Sequence, residues 1–136
     1  MDVAQAQEFV RRHHHAVLAT RRADGGLQQS PVLVGVDDQG RFVVSSRETA
    51  FKTRNLRTDP TAHLCVFTDG FFGPWVFVEG NAEVISLPDA MEPLVDYYRR
   101  LSGEHDDWDD YREAMRRDRR VLIRVTAARV GPERQG

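Results

Sequence analysis

Turn chemistry between short apolar runs is what most constrains this chain. Ala16-Val17-Leu18-Ala19-Thr20 reads as a compact strand, Asp24-Gly25 as a tight turn, and Leu27 to Val36 as the returning strand. Pro31 lies inside that return and cannot donate to a ladder, so it marks an edge, a bulge or an interruption. Asp37-Asp38-Gln39-Gly40 makes the next turn and Arg41 to Ser46 the third strand, giving three antiparallel strands in succession. Thr61 to Thr68 and Trp75 to Leu87 continue the series. In the latter, Trp75, Phe77 and Val84 are the apolar positions and Gly80 is an expected bulge. Arg119 to Val130 alternates as a sixth strand, and the tail from Gly131 reads as loose. Strands joined this tightly favour an antiparallel barrel over a doubly wound sheet.

Helical periodicity is confined to four segments. Asp2 to Arg12 places Val3, Ala6, Phe9 and Val10 on one face, with Asp2 as cap. Glu48 to Asp59 is a short helix with Thr49 or Ser46 as N-cap and Pro60 closing it. Asp89 to Leu101 follows, capped by Asp89, and Ser102-Gly103-Glu104-His105 breaks it. Asp106 to Arg117 opens acidic and ends basic, which complements the helix dipole and accounts for the acidic run without a cation. The expected architecture is one domain over residues 1–136, mainly β with peripheral helices (α+β).

A chain of 136 residues with 40% hydrophobic and 29% charged residues fits a single soluble globular domain. The net charge of −2 carries no overall bias toward nucleic acid. One cysteine, Cys65, excludes an internal disulfide and a cysteine-based zinc site. No apolar run is long enough to span a membrane, and the short, acidic start is unlike a secretory signal, so a reducing cytoplasm is the expected compartment. His13-His14-His15 invites a metal reading, but neighbouring strand side chains point to opposite faces. A favourable charge at the end of the first helix, or plain surface, is the simpler reading of these histidines, and no metal site is expected.

The segment from Phe42 to Pro60 carries the chemistry. A strand ending in Ser45-Ser46 runs into a helix start, which places hydroxyls and unpaired backbone N–H groups where an anion is favoured. Lys52, the only lysine in the chain, lies near that end, with Arg54 and Arg57 further along. No glycine-rich phosphate loop accompanies it. A solvated basic surface therefore remains open beside a phosphate site.

Taken in order, several segments resemble the pyridoxamine 5′-phosphate oxidase-like split-barrel proteins. These are Val17-Leu18-Ala19-Thr20, Asp24-Gly25, Ser30-Pro31-Val32, Lys52-Thr53-Arg54-Asn55-Leu56-Arg57-Thr58-Asp59-Pro60 and Val78-Glu79-Gly80. Gly103-Glu104-His105-Asp106-Asp107-Trp108-Asp109-Asp110-Tyr111-Arg112 and Asp118-Arg119-Arg120-Val121-Leu122 resemble the actinobacterial branch that uses the deazaflavin coenzyme F420. An arginine-dominated basic set fits that high-GC background.

The resemblance implies an antiparallel FMN-binding-type split β-barrel, a homodimer with two cofactor sites at its interface, and hydride transfer from reduced F420 to an unsaturated small molecule. An FMN enzyme of the same fold and a non-catalytic F420 carrier are the alternatives. It assigns Lys52 to the cofactor phosphate, supported by Ser45, Ser46 and the helix amides, with Arg54 and Asn55 matching the motif. Asn55 has a second reading as an internal hydrogen-bonding residue. Thr20, Ser30, Pro31 and Val32 would line the ring, and Trp75 and Phe77 of the second subunit would cover it. Where relatives often carry an arginine just before the lysine, this chain has Ala50 and Phe51, which leaves Arg47 as the substitute. Residues 129–132, Arg-Val-Gly-Pro, lack the substrate motif of pyridoxamine phosphate oxidation. No catalytic acid is assigned; His63 titrates in a suitable range, but on a strand it reads as a packed or edge residue.

Overall fold

The structure, a computed structural model, describes residues 1–70 and 72–135, with the side chains of 133–135 left aside. In chain order the elements are α1 (Val3–Arg12), β1 (His15–Arg21), β2 (Leu27–Leu33), β3 (Gly35–Val36), β4 (Phe42–Arg47) and α2 (Phe51–Thr58). They continue with β5 (Thr61–Phe67), β6 (Pro74–Ile85), α3 (Met91–Ser102), α4 (Trp108–Arg117) and β7 (Arg120–Gln135).

All strand pairs are antiparallel, in the order β2-β1-β5-β6-β7-β4-β3. Strands β2 and β3 are consecutive in the chain yet stand at opposite ends of this order. Only Val34 separates them, fully buried and donating its N–H to His14 O at 2.8 Å. A single residue can join the two edges only if the sheet curls until they meet. The expected antiparallel split barrel is therefore the observed fold.

The same crossing corrects two strand assignments. The returning strand is two strands, so the described residues form seven strands and not six. The third expected strand, β4, pairs with β7 and β3, not with β2. Pro31 sits on edge strand β2, where a missing N–H costs no central ladder bond.

Strand alternation builds the core. Ala16 and Leu18, Ala62, Leu64 and Val66, Val76 and Val78, Val121, Ile123 and Val125, and Phe42 and Val44 point inside, and α1 adds Ala6, Phe9 and Val10. In β6 the buried apolar positions are Val76, Val78 and Ala82, whereas Trp75 and Phe77 take the opposite face. Gly80 is at a register shift against β7, and a Cβ there would lie 2.1 Å from Thr126 O. The expected bulge is present for want of space. A smaller cluster of Val43, Leu122, Ala90 and Leu94 seats α3 on the outer face of β4 and β7.

Asp2 caps α1 in a reciprocal box with Gln5, and Asp107 caps α4 through the Asp110 N–H. The caps expected for α2 and α3 are not used. Ala50 and Ala90 hold those positions without a side-chain acceptor. Ser46 is still within β4, and Asp89 lies inside a turn in which Ala90 N–H donates to Ser86 O. The tail is ordered into β7, because residues 130–135 have β6 to pair with. Phe72 is exposed, and Phe71 lies outside the described residues. No helix among the described residues is long and apolar enough to cross a membrane.

Candidate functional site

A cleft of about 840 Å³ opens where the two sheet edges meet. Edge strand β2 supplies Pro31, Val32 and Leu33, β1 supplies His15 and Ala16, and β5 ends on it with Phe67. Opposite stand Ser45 of β4 and Arg120 of β7, with Lys52 of α2 beside them. Helices α3 and α4 close the remaining side with Tyr97, Tyr98, Tyr111 and Met115.

Its electrostatics are one-sided. Lys52 and Arg120 line the cleft, and no carboxylate does among the described residues. Burial, and then the nearby Arg120 charge, hold the Lys52 ammonium below the ordinary lysine value. The Arg120 Nε is buried without a hydrogen-bond partner. Two cations kept together without a counter-ion among the described residues, one with an orphaned donor, are an arrangement that an anion completes. The first turn of α2, uncapped by any side chain, begins one residue before Lys52.

The tyrosines are rigidly placed. Tyr97 Oη donates to Leu33 O at 2.7 Å, and burial pushes its phenol up to about 12. The Ser45 backbone N–H reaches the same oxygen and offsets part of that rise. Tyr111 Oη donates to Leu94 O at 2.8 Å and is likewise pushed up to about 12, chiefly by burial. His15 at the cleft mouth meets Asp69 at 3.0 Å.

Of the expected site residues, Lys52, Ser45, Pro31 and Val32 come together in the cleft. The others lie outside the lining that this chain itself provides. Ser46 is buried, and its hydroxyl lies 2.9 Å from that of Thr53, which donates to Arg47 O at 2.6 Å. Asn55 Nδ2 donates to the buried Thr20 hydroxyl at 3.1 Å, so this pair ties α2 to β1. Arg54 is exposed and outside the cleft lining, and Ser30 carries a buried, unpartnered hydroxyl on β2. Arg57 is committed to Glu48 at 2.7 Å and Ser86 at 2.8 Å. Phe77 and His63 face a separate groove of about 270 Å³ on the outer sheet surface, and Trp75 lies outside the cleft lining. His14 bonds Val34 O at 2.9 Å, and the His13 ring packs tilted against Phe9.

Arg120 is the residue that sequence reasoning missed. It stands opposite Arg47 in the β4–β7 register, so the cation that lines the cleft beside Lys52 comes from 73 positions beyond Arg47, which is itself outside the lining. Its signal was present in Asp118-Arg119-Arg120, but nothing local shows that this strand start meets α2. Arg119, at φ 52°, takes the left-handed turn that admits Arg120 to the strand.

Comparison with known proteins places this geometry. The chain is similar to a conserved hypothetical protein of Mycobacterium tuberculosis, with 27% identity, TM-score 0.78, and coverage of 96% of this chain and 82% of that one. It shares its fold with an F420 reductase (20% identity, TM-score 0.69, coverage 92% and 94%). It also shares it with an FMN-binding, pyridoxamine 5′-phosphate oxidase-related protein of Nostoc punctiforme (14%, 0.64, coverage 94% and 79%). The model of the pyridoxamine 5′-phosphate oxidase family matches residues 3–132, and the chain belongs to that family.

Proposed function

We propose that the protein is an oxidoreductase that binds the deazaflavin coenzyme F420 in the cleft and reduces an unsaturated small molecule. The observation that carries this reading is the unpaired Lys52–Arg120 cation pair at one end of an otherwise aromatic and apolar cleft. A phosphate ester fits the cations, and a flat ring fits the walls. The segments at 103–112 and 118–122, with their resemblance to the F420 branch, favour the deazaflavin over FMN.

When bound and reduced, F420 supplies a hydride, so the protein's own task is to bind, orient and exclude water. Lys52 and Arg120 would hold the phosphate, with Ser45 as a neutral hydrogen-bonding partner. Pro31, Val32 and Leu33 would flank the ring from the β2 edge, and the tyrosine wall would keep bulk water out. We further propose a homodimer. The outer face of β1, β5 and β6 leaves Val17, Ala19, Cys65 and Phe77 around a shallow groove that a second copy would cover.

Equilibrium binding of F420 and FMN, measured side by side by fluorescence quenching, tests the assignment. Tighter F420 binding is expected. Preference for FMN would move the protein to the flavin branch, and no binding of either would overturn the reading. Bound F420 without turnover of any unsaturated substrate would leave a carrier. Sedimentation at micromolar concentration tests the dimer; a monomer would overturn it.

A further inference from the structure

Three tyrosines line the cleft, and two of them have already committed their hydroxyl protons: Tyr97 to Leu33 O and Tyr111 to Leu94 O. Tyr98 differs. Its hydroxyl has no hydrogen-bond partner among the described residues, although its ring is held on three sides. The centroids of His105 and Tyr111 lie 5.1 Å away and that of Trp108 lies 5.8 Å away, all edge-on. Trp108 is fixed in turn by the Arg99 guanidinium 4.7 Å above its face and by Glu104, which accepts from its Nε1 at 3.1 Å.

A rigid ring that keeps a free donor on a cleft wall is a pre-organised ligand contact, because little side-chain entropy remains to be lost when it engages. Among the described residues the other polar side chains lining the cleft are Lys52, Arg120 and Ser45, grouped on α2, β7 and β4, and His15, which faces Asp69 at the mouth. Among the described residues of the helical wall, only Tyr98 offers an uncommitted side-chain donor.

We propose that Tyr98 is a specificity-determining residue of the cleft, donating a hydrogen bond to an acceptor atom of the ligand whose anionic group sits at Lys52 and Arg120. This rests on the reading of the cleft as a phosphate-ligand site. The chemistry selects a ligand with a carbonyl oxygen or ring nitrogen away from its anion. A purely apolar body would leave the donor unpaired and be discriminated against.

Tyr98→Phe tests this, because it keeps the ring packing and removes only the donor. With F420 and FMN as probes, the variant should melt with wild-type and bind whichever cofactor wild-type binds about fivefold more weakly. That loss should persist at high salt, unlike a loss at Lys52, because a neutral donor is not screened. Wild-type affinity in the variant would overturn the proposal, and so would a lowered melting temperature, which would make the hydroxyl structural. If wild-type itself binds neither cofactor, the cofactor reading fails first and takes this inference with it.

Discussion

Tyr97 donates its hydroxyl proton to the Leu33 backbone oxygen at 2.7 Å, across 64 residues of sequence. Leu33 ends β2 one residue before the crossing at Val34, so this bond ties α3 to the point where the barrel closes. Tyr97→Phe should leave Leu33 O without its partner and cost about 1–2 kcal/mol of stability. The midpoint of urea denaturation should fall with an unchanged slope; an unchanged midpoint would show that the closure does not depend on this bond.

Lys52 is poised against stability. Burial and Arg120 depress its pKa, so the folded state releases the proton more readily than the unfolded chain. Its destabilising effect is full below the folded pKa and fades as pH rises toward the ordinary value of 10.5. Lys52→Met should therefore raise the melting temperature of the ligand-free protein near neutral pH, in a buffer free of phosphate. A clear decrease would mean that the ammonium has a native partner.

Anion binding should run the other way. Removing either Lys52 or Arg120 by alanine should weaken cofactor binding by about 1.5–3 kcal/mol, the worth of a charge-assisted contact. The double variant should lose less than the sum, since the two cations share one anion. Additive losses in titrations would place them on separate ligand groups. Wild-type affinity should also decline as pH rises through the lowered Lys52 pKa, and Lys52→Arg should flatten that decline.

Gly80 admits no side chain. A Cβ would stand 2.1 Å from the Thr126 carbonyl, which is backbone and cannot swing away. Gly80→Ala should cost about 1–3 kcal/mol through forced separation of β6 from β7. Chemical denaturation checks this, and a neutral result would mean that the bulge relaxes freely.

The sequence by itself determined the local elements, because strand alternation, turn residues and helix faces act over a few positions. Asp24-Gly25, the Gly80 bulge, the Asp2 cap and the acidic start of α4 were legible for that reason. So was Lys52, since its strand and helix are adjacent. The tertiary structure alone decided that β2 and β3 close a barrel across Val34, that Arg120 joins Lys52 from a distant strand, and that Tyr97 spends its hydroxyl on Leu33 while the Tyr98 hydroxyl has no partner among the described residues. These depend on register and on sheet curl, which bring distant residues together with no local trace. Thr20, Asn55 and Ser46 add a related lesson: their types suit a ligand, and in the folded chain Asn55 donates to Thr20 and Thr53 to Ser46, contacts that no local pattern shows.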